Sequence, residues 1–172
     1  MPPHLELLIS FTNSKDQELD TDDLTTRPEL TQWLFDHGLL QRRVDSTDDD
    51  LALARRLRDG LHEALVANHD GSANYRALEE AAAQLPLQLA GGAQPGLRPL
   101  HEGVRGALSR VIIAVNSAVA DDTWRRLKIC SADDCAWAYF DTTKNRSRAW
   151  CEWGCGNRIK TRNYRARQKA KT

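Results

Sequence analysis

Apolar residues recur along this chain at two spacings, and the change between them divides it into elements. In "LELLISF", Leu5, Leu7, Ile9 and Phe11 alternate with their neighbours, which predicts a short strand with one buried face, ended by the turn "TNSKD". Beyond it the helical period takes over. Thr26 and Glu29 form a capping-box pair with Pro28 in the first turn, so a short helix is expected with Leu30, Trp33 and Leu34 on its inner side, stopped by Gly38. A longer helix is expected from Ser46 or Thr47, because Asp48, Asp49 and Asp50 put negative charge among the unpaired N–H groups of its first turn. Its core stripe is Leu53, Leu57, Leu61, Ala64 and Leu65. Ser72 is expected to cap a third helix with Tyr75, Leu78, Ala82 and Leu85 on one face, ended by Pro86. The stretch "LQLAGGAQPGLRPL" reads as a hairpin around a Gly/Pro-rich turn. Residues 101–120 carry Val104, Leu108, Val111, Ile112, Val115 and Val119 at helical spacing and predict the main core helix.

Charge separates what hydropathy leaves continuous. The 172 residues have zero formal net charge, yet residues 1–122 hold 11 Lys+Arg against 20 Asp+Glu, and residues 123–172 hold 13 against 4, giving −9 and +9. This predicts an acidic body over 1–122 and a basic module over 123–172 that meets a polyanion; with such a module as the binding part, the body is the candidate regulatory, sensory or dimerisation domain. Docking of the two parts on each other is the alternative. Residues 1–20 lack a basic stretch leading into an apolar run, and no window reaches the roughly 20 apolar residues of a membrane span, so a cytoplasmic protein without a membrane partner is expected.

The four cysteines, Cys130, Cys135, Cys151 and Cys155, all lie in the basic module, spaced C-x4-C-x15-C-x3-C. In a reducing compartment two structural disulfides are disfavoured, and four thiolates suit the tetrahedral demand of one zinc ion. An iron–sulfur cluster uses the same donors and stays open. "CSADDC" reads as a polar turn, "AWAYFD" as a strand, and Cys151 and Cys155 as ligands on the first turn of a helix, with Gly154 and Gly156 letting the backbone approach the sulfurs. Trp137, Trp150 and Trp153 are expected to fill the core of so small a module rather than to stack on bases. The fold class is therefore α+β: a mainly helical N-terminal domain with a few strands, then a small four-cysteine finger of hairpin plus helix.

Along the final helix, Arg158, Arg162, Arg165 and Lys169 form one cationic row, and Lys160, Arg167 and Lys171, with Tyr164, another. Ile159, Asn163, Ala166 and Ala170 make a narrow seam between them. Lys144, Arg146 and Arg148 add a basic loop before it. These nine cations outside Lys171 are the candidate nucleic-acid contacts; a solvated tail is the bland alternative, and Arg158 divides between screening the sulfurs and meeting phosphate. His4, His37, His62, His69 and His101 are scattered with no acid or nucleophile at useful spacing, so no enzyme is expected.

The stretch "RLKICSADDCAWAYFDTTKNRSRAWCEWGCGNRIKTRNYRAR" resembles the CGNR zinc finger, named for the string Cys155-Gly156-Asn157-Arg158. The turn "FTNS", Phe11 to Ser14, and the helix "LTQWLFDHGLL" are similar to the stress-induced transcription regulator domain that usually precedes that finger, with Ser14 replacing a usual Thr; in the finger's loop, Ala149 stands where an arginine is common. The resemblance implies a zinc-dependent, DNA-binding bacterial transcription regulator that responds to stress, with double-stranded DNA as partner. RNA binding, or an adaptor docking an acidic protein, are the competing functions. Asn13 is a candidate ligand-binding residue or a simple turn former, and a homodimer and a small-molecule effector are left open.

Overall fold

Helix begins earlier than the alternation predicts. In the computed structural model, which describes residues 1–72 and 74–169, the first element is helix α1, Pro3–Thr12, not a strand. The cause is local. Leu5, Leu8 and Phe11, three apart, are the fully buried set, while Leu7 and Ile9 are only partly covered. Proline at the first helical positions and leucines that lose little rotamer freedom also favour the helix. Two short antiparallel strands follow, β1 (Lys15–Asp16) and β2 (Thr21–Asp22), where only a turn is expected.

Helices α2 (Arg27–Asp36) and α3 (Asp48–Asp70) start where their caps put them. Thr26 Oγ1 accepts from the Glu29 N–H at 3.4 Å, and Thr47 Oγ1 accepts from the Asp50 N–H at 3.1 Å while the Thr47 N–H donates to Asp50 Oδ2 at 3.0 Å, a complete capping box. Ser72 caps nothing: its N–H is taken by Asp70 Oδ1 at 2.8 Å, and α4 (Arg76–Ala82) starts only after Tyr75. Its buried face is Leu78 and Ala81, with Leu85 beyond it, so Ala81 and not Ala82 points inward. This helix crosses α3 so closely that a Cβ on Gly60 would lie 2.6 Å from the Leu78 backbone nitrogen.

The expected hairpin forms as β3 (Leu87–Ala90) and β4 (Gly96–Pro99), with Leu87 opposite Pro99. Helix α5, Gly103–Ala120, is long and apolar enough to cross a membrane, with mean hydropathy 1.2 over 18 residues. It packs as a core helix, burying Val104, Leu108, Val111, Ala114 and Ala118 against α1 and its neighbours, and leaving Val119 exposed.

The core does not stop at 122. After a short 3-10 turn, β5 (Leu127–Ile129) pairs antiparallel with β6 (Ala138–Phe140), and Leu127, Ile129 and Ala138 belong to the same hydrophobic cluster as Leu8, Leu61 and Leu108. Asn68 Nδ2 on α3 donates to the carbonyls of Trp124, at 2.9 Å, and Leu127, at 3.2 Å. Charge divides the chain at 122; packing runs across that point. Helix α6, Cys155–Lys169, completes the fold, and Ala170 and Lys171 lie outside the described residues.

Candidate metal centre

The hairpin β5–β6 turns its outer end toward a second, smaller cluster built from Cys130, Cys135, Cys151 and Cys155 with Ala132 and Tyr139. All four sulfurs lie within 4.8 Å of one another and all four residues are buried. Two separations, Cys135–Cys151 at 3.7 Å and Cys151–Cys155 at 3.6 Å, approach the edge of about 3.8 Å that a tetrahedron of sulfurs about 2.3 Å from zinc requires. Cys130 and Cys135 flank a turn in which the Cys135 N–H donates to Ala132 O at 3.1 Å. Only Cys155 is helical. Cys151 sits before the helix, because Gly154 takes φ +85°, a left-handed conformation that interrupts a first turn common to both cysteines. The Gly154 carbonyl then accepts the N–H groups of Asn157 and Arg158, at 3.0 and 3.1 Å, and so opens α6.

Without a metal, Cys135 and Cys151 would be poor anions. Burial raises Cys135 well above the ordinary thiol range and pushes Cys151 up to about 11. At Cys130 burial acts in the same direction but is outweighed by the Cys151 and Ala132 N–H groups, which lower it. Four buried, mutually facing sulfurs with no disulfide among them fit a borderline-soft dication, which deprotonates such thiols on binding. The site is suited to one structural zinc ion, held by Cys130, Cys135, Cys151 and Cys155.

A buried ion pair braces this centre. Lys128 in β5 and Asp141 just after β6 meet at 2.8 Å, 5% and 0% exposed. Asp141 also accepts from the Thr143 N–H and hydroxyl, at 2.9 and 2.6 Å, and from the Arg148 N–H at 2.9 Å, while Lys128 reaches the carbonyls of Arg146 and Arg148. Burial alone would raise the Asp141 carboxyl, but the Lys128 ammonium and these donors hold it well below the usual carboxylate range. The pair thereby folds the basic loop back over β5. Arg148 is spent there as well: its guanidinium lies over the Tyr139 ring, 5.5 Å from the centroid, and pairs with Glu152 at 3.1 Å, and Tyr139 donates its hydroxyl proton to Arg148 O at 2.6 Å. Arg146 pairs with Asp122. Of the three loop cations, Lys144 alone has no ion pair among the described residues.

Asn13 does more than shape a turn. Its Nδ2 donates to Ala138 O at 3.0 Å and its Oδ1 accepts from the Ala138 N–H at 2.7 Å, so its amide pairs with the outer edge of β6 as a neighbouring strand would. Both polar atoms are engaged, across 125 residues of chain. Asn13→Ala leaves a partly buried peptide group without protein partners, and is expected to cost about 1–3 kcal/mol in urea unfolding at unchanged zinc content. A variant as stable as wild type would show that solvent serves Ala138 equally well.

Among the described residues, helix α6 is the basic element that stands clear. Beyond Cys155 only Gly156 and Ile159 are even partly covered; residues 160–169 are exposed throughout. Arg158 donates to Cys155 Sγ at 3.5 Å, to Asp134 at 2.8 Å and to Glu18 of the body at 3.2 Å, which ties the cluster to the β1–β2 turn. Arg162 meets Asp133 at 3.2 Å. Lys160, Arg165, Arg167 and Lys169 have no ion pair among the described residues. Trp137 and Trp150 pack against the thiol cluster as expected, but Trp153 is 77% exposed. The cysteines were legible from spacing; Lys128 and Asp141 were not, because a lysine alternating with Leu127 and Ile129 reads as a solvent-facing strand position.

Residues 126–168 match the CGNR zinc finger, and residues 5–128 match the family described as a putative stress-induced transcription regulator. The chain belongs to that regulator family. No curated protein matches it. The regulator family's match and the finger's overlap at 126–128, within the 3-10 turn and β5, where the core of the body passes into the finger. Neither is a family of enzymes.

Proposed function

We propose that this protein is a zinc-dependent, DNA-binding transcription regulator of the bacterial cytoplasm, responsive to stress, in which residues 1–122 form the regulatory body and residues 123–172 the module that meets DNA. One observation carries the reading. Helix α6 holds Arg158, Lys160, Arg162, Arg165, Arg167 and Lys169 and no carboxylate, and its covered positions among the described residues, Cys155, Gly156 and Ile159, lie in its first two turns. A helix that is polar all round and repels itself needs a partner to be stable, and phosphate supplies the missing charge. Held by Cys130, Cys135, Cys151 and Cys155, zinc would act by structure, fixing Cys155 and so the direction in which α6 leaves the body. Neither a homodimer nor a small-molecule effector is part of the proposal.

The row Arg162, Arg165 and Lys169 tests it. Replacing all three by Ala is expected to leave zinc content and the thermal transition unchanged, since all three side chains are exposed and their one ion pair among the described residues is Arg162 with the exposed Asp133. Affinity for a short DNA duplex should fall, and the slope of log affinity against log salt should flatten by about 0.9 for each phosphate that is no longer neutralised. A variant that binds duplex DNA as tightly as wild type across a salt titration would leave α6 a solvated tail. Tighter binding of structured RNA than of duplex DNA would make the target RNA.

A further inference from the structure

Aromatic rings gather at the head of α6. Trp153 stands on the turn between Cys151 and Cys155, and it borders a groove of about 410 Å³ together with Trp137 just before β6, Tyr139 and Phe140 on β6, and Ile9 on α1. An indole is among the largest apolar surfaces a side chain offers, and a finger this small has few others with which to build a core, yet this one is 77% exposed. Strand geometry adds a polar edge. The Cys130 N–H donates to Trp137 O and the Asp141 N–H to Arg126 O, so the peptides of Trp137, Tyr139 and Asp141 face β5 and those of Ala138 and Phe140 face outward. Asn13 covers the first outward pair, which leaves the Phe140 peptide at the groove wall.

Charge decides what fits there. Trp153 precedes the first residue of α6 by two positions, so a polyanion seated on the carboxylate-free helix brings its strand past the indole. The carboxylate at the groove, Glu152, is already paired with Arg148 at 3.1 Å. A flat, neutral heterocycle with hydrogen-bonding edges, attached to a phosphate chain, matches both the rings and the cations. Resting on the nucleic-acid reading above, we propose that this groove receives a nucleobase turned out of its stack, with Trp153 against the base face and the strand's phosphates along α6. Stacking of this kind tolerates any base, because each has a π-face. The groove therefore adds a preference for distorted or unpaired sites and no sequence code.

The test uses the full zinc-loaded chain and three fluorescent probes of one mixed sequence: a perfect duplex, the same duplex with one unpaired base, and the single strand. Wild type should bind the two probes with accessible bases more tightly, relative to charge, than the perfect duplex. Trp153→Ala should lower affinity for those two by about 10-fold. Its affinity for the perfect duplex should stay within about twofold, with the salt slope unchanged, because every cation that meets phosphate is kept. Trp153→Leu keeps apolar bulk without a flat face and should behave like the alanine variant, which keeps the test open should the smaller side chain disturb the metal site. Equal losses on all three probes, or none on any, in zinc-loaded variants would overturn the inference and leave the nucleic-acid reading standing. Wild type that binds none of the three, or binds an acidic peptide of matched charge equally well, would overturn both.

Discussion

Stripping the metal from reduced protein is expected to unfold the finger and to weaken the body with it. One zinc per chain should be found in freshly purified protein, and chelation should remove on the order of 10 kcal/mol or more of folding free energy, the scale of structural zinc in small modules. The size follows from how little else draws Cys130, Cys135, Cys151 and Cys155 together: β5 and β6 pair over three residues, Trp137 and Trp150 are only partly buried, and the Lys128–Asp141 pair holds the basic loop rather than the sulfurs. Cys135→Ser should reproduce the effect without chelator. Acid should do so too, because protons compete with the metal for the sulfurs. Circular dichroism and tryptophan fluorescence during chelator titration provide the readout. Iron with acid-labile sulfide, or a spectrum indifferent to chelation, would dismiss the zinc assignment.

The second large effect is expected at Asp141. Asp141→Asn keeps the shape and one acceptor oxygen but leaves the Lys128 ammonium buried without its counter-charge, which costs about 3–5 kcal/mol when a buried pair is broken from one side. Denaturant unfolding of the zinc-loaded protein should register the loss. Exchanging both partners for apolar residues should not restore wild-type stability, because the Thr143 and Arg148 N–H groups would then lack their acceptor. The pH dependence has a definite sign. The carboxyl is depressed in the folded state, so its contribution is complete above the unfolded value of about 3.9 and is lost as pH falls toward the folded-state value. A Lys128-Asp141 pair that can be broken without loss would mean that water reaches the ammonium.

What could be read from sequence divides by range. Caps and stripes are local, so Thr26, Thr47 and the Leu53–Leu65 face located α2 and α3, and the Gly/Pro-rich turn located β3 and β4. The cysteine spacing was legible because zinc chemistry constrains it. In α1, Leu5, Leu7, Ile9 and Phe11 satisfy the strand period while Leu5, Leu8 and Phe11 satisfy the helical one; only packing against α5 decides between them. The joint between body and finger is long-range throughout. No local pattern announces that Asn13 will pair with Ala138, that Lys128 will be covered by the loop after β6, or that Arg158 will reach Glu18. Trp153 went against composition for a related reason: a count of indoles measures how much core a small module can fill, and says nothing about which ring the turn leaves outside.

The pairing of Asn13 with Ala138 has a consequence for how the chain is made. During synthesis α1 emerges before the elements it packs against; the strand edge it grips is 125 residues behind it, and the apolar side chains of β5 that seal the same core emerge only slightly earlier than that edge. The partners of α1 in α3 and α5 are out before β6 is, whereas its contact with β6, and that of α3 with β5, must wait for the finger. The nascent body therefore carries an unsealed seam beside α1 until the first cysteine pair is out, and closes late, through pairings of high sequence separation that are slow to find. Messages cut short between the codons for Ala120 and Phe140 would release the body with that seam open, as a substrate for proteases rather than a free regulatory domain.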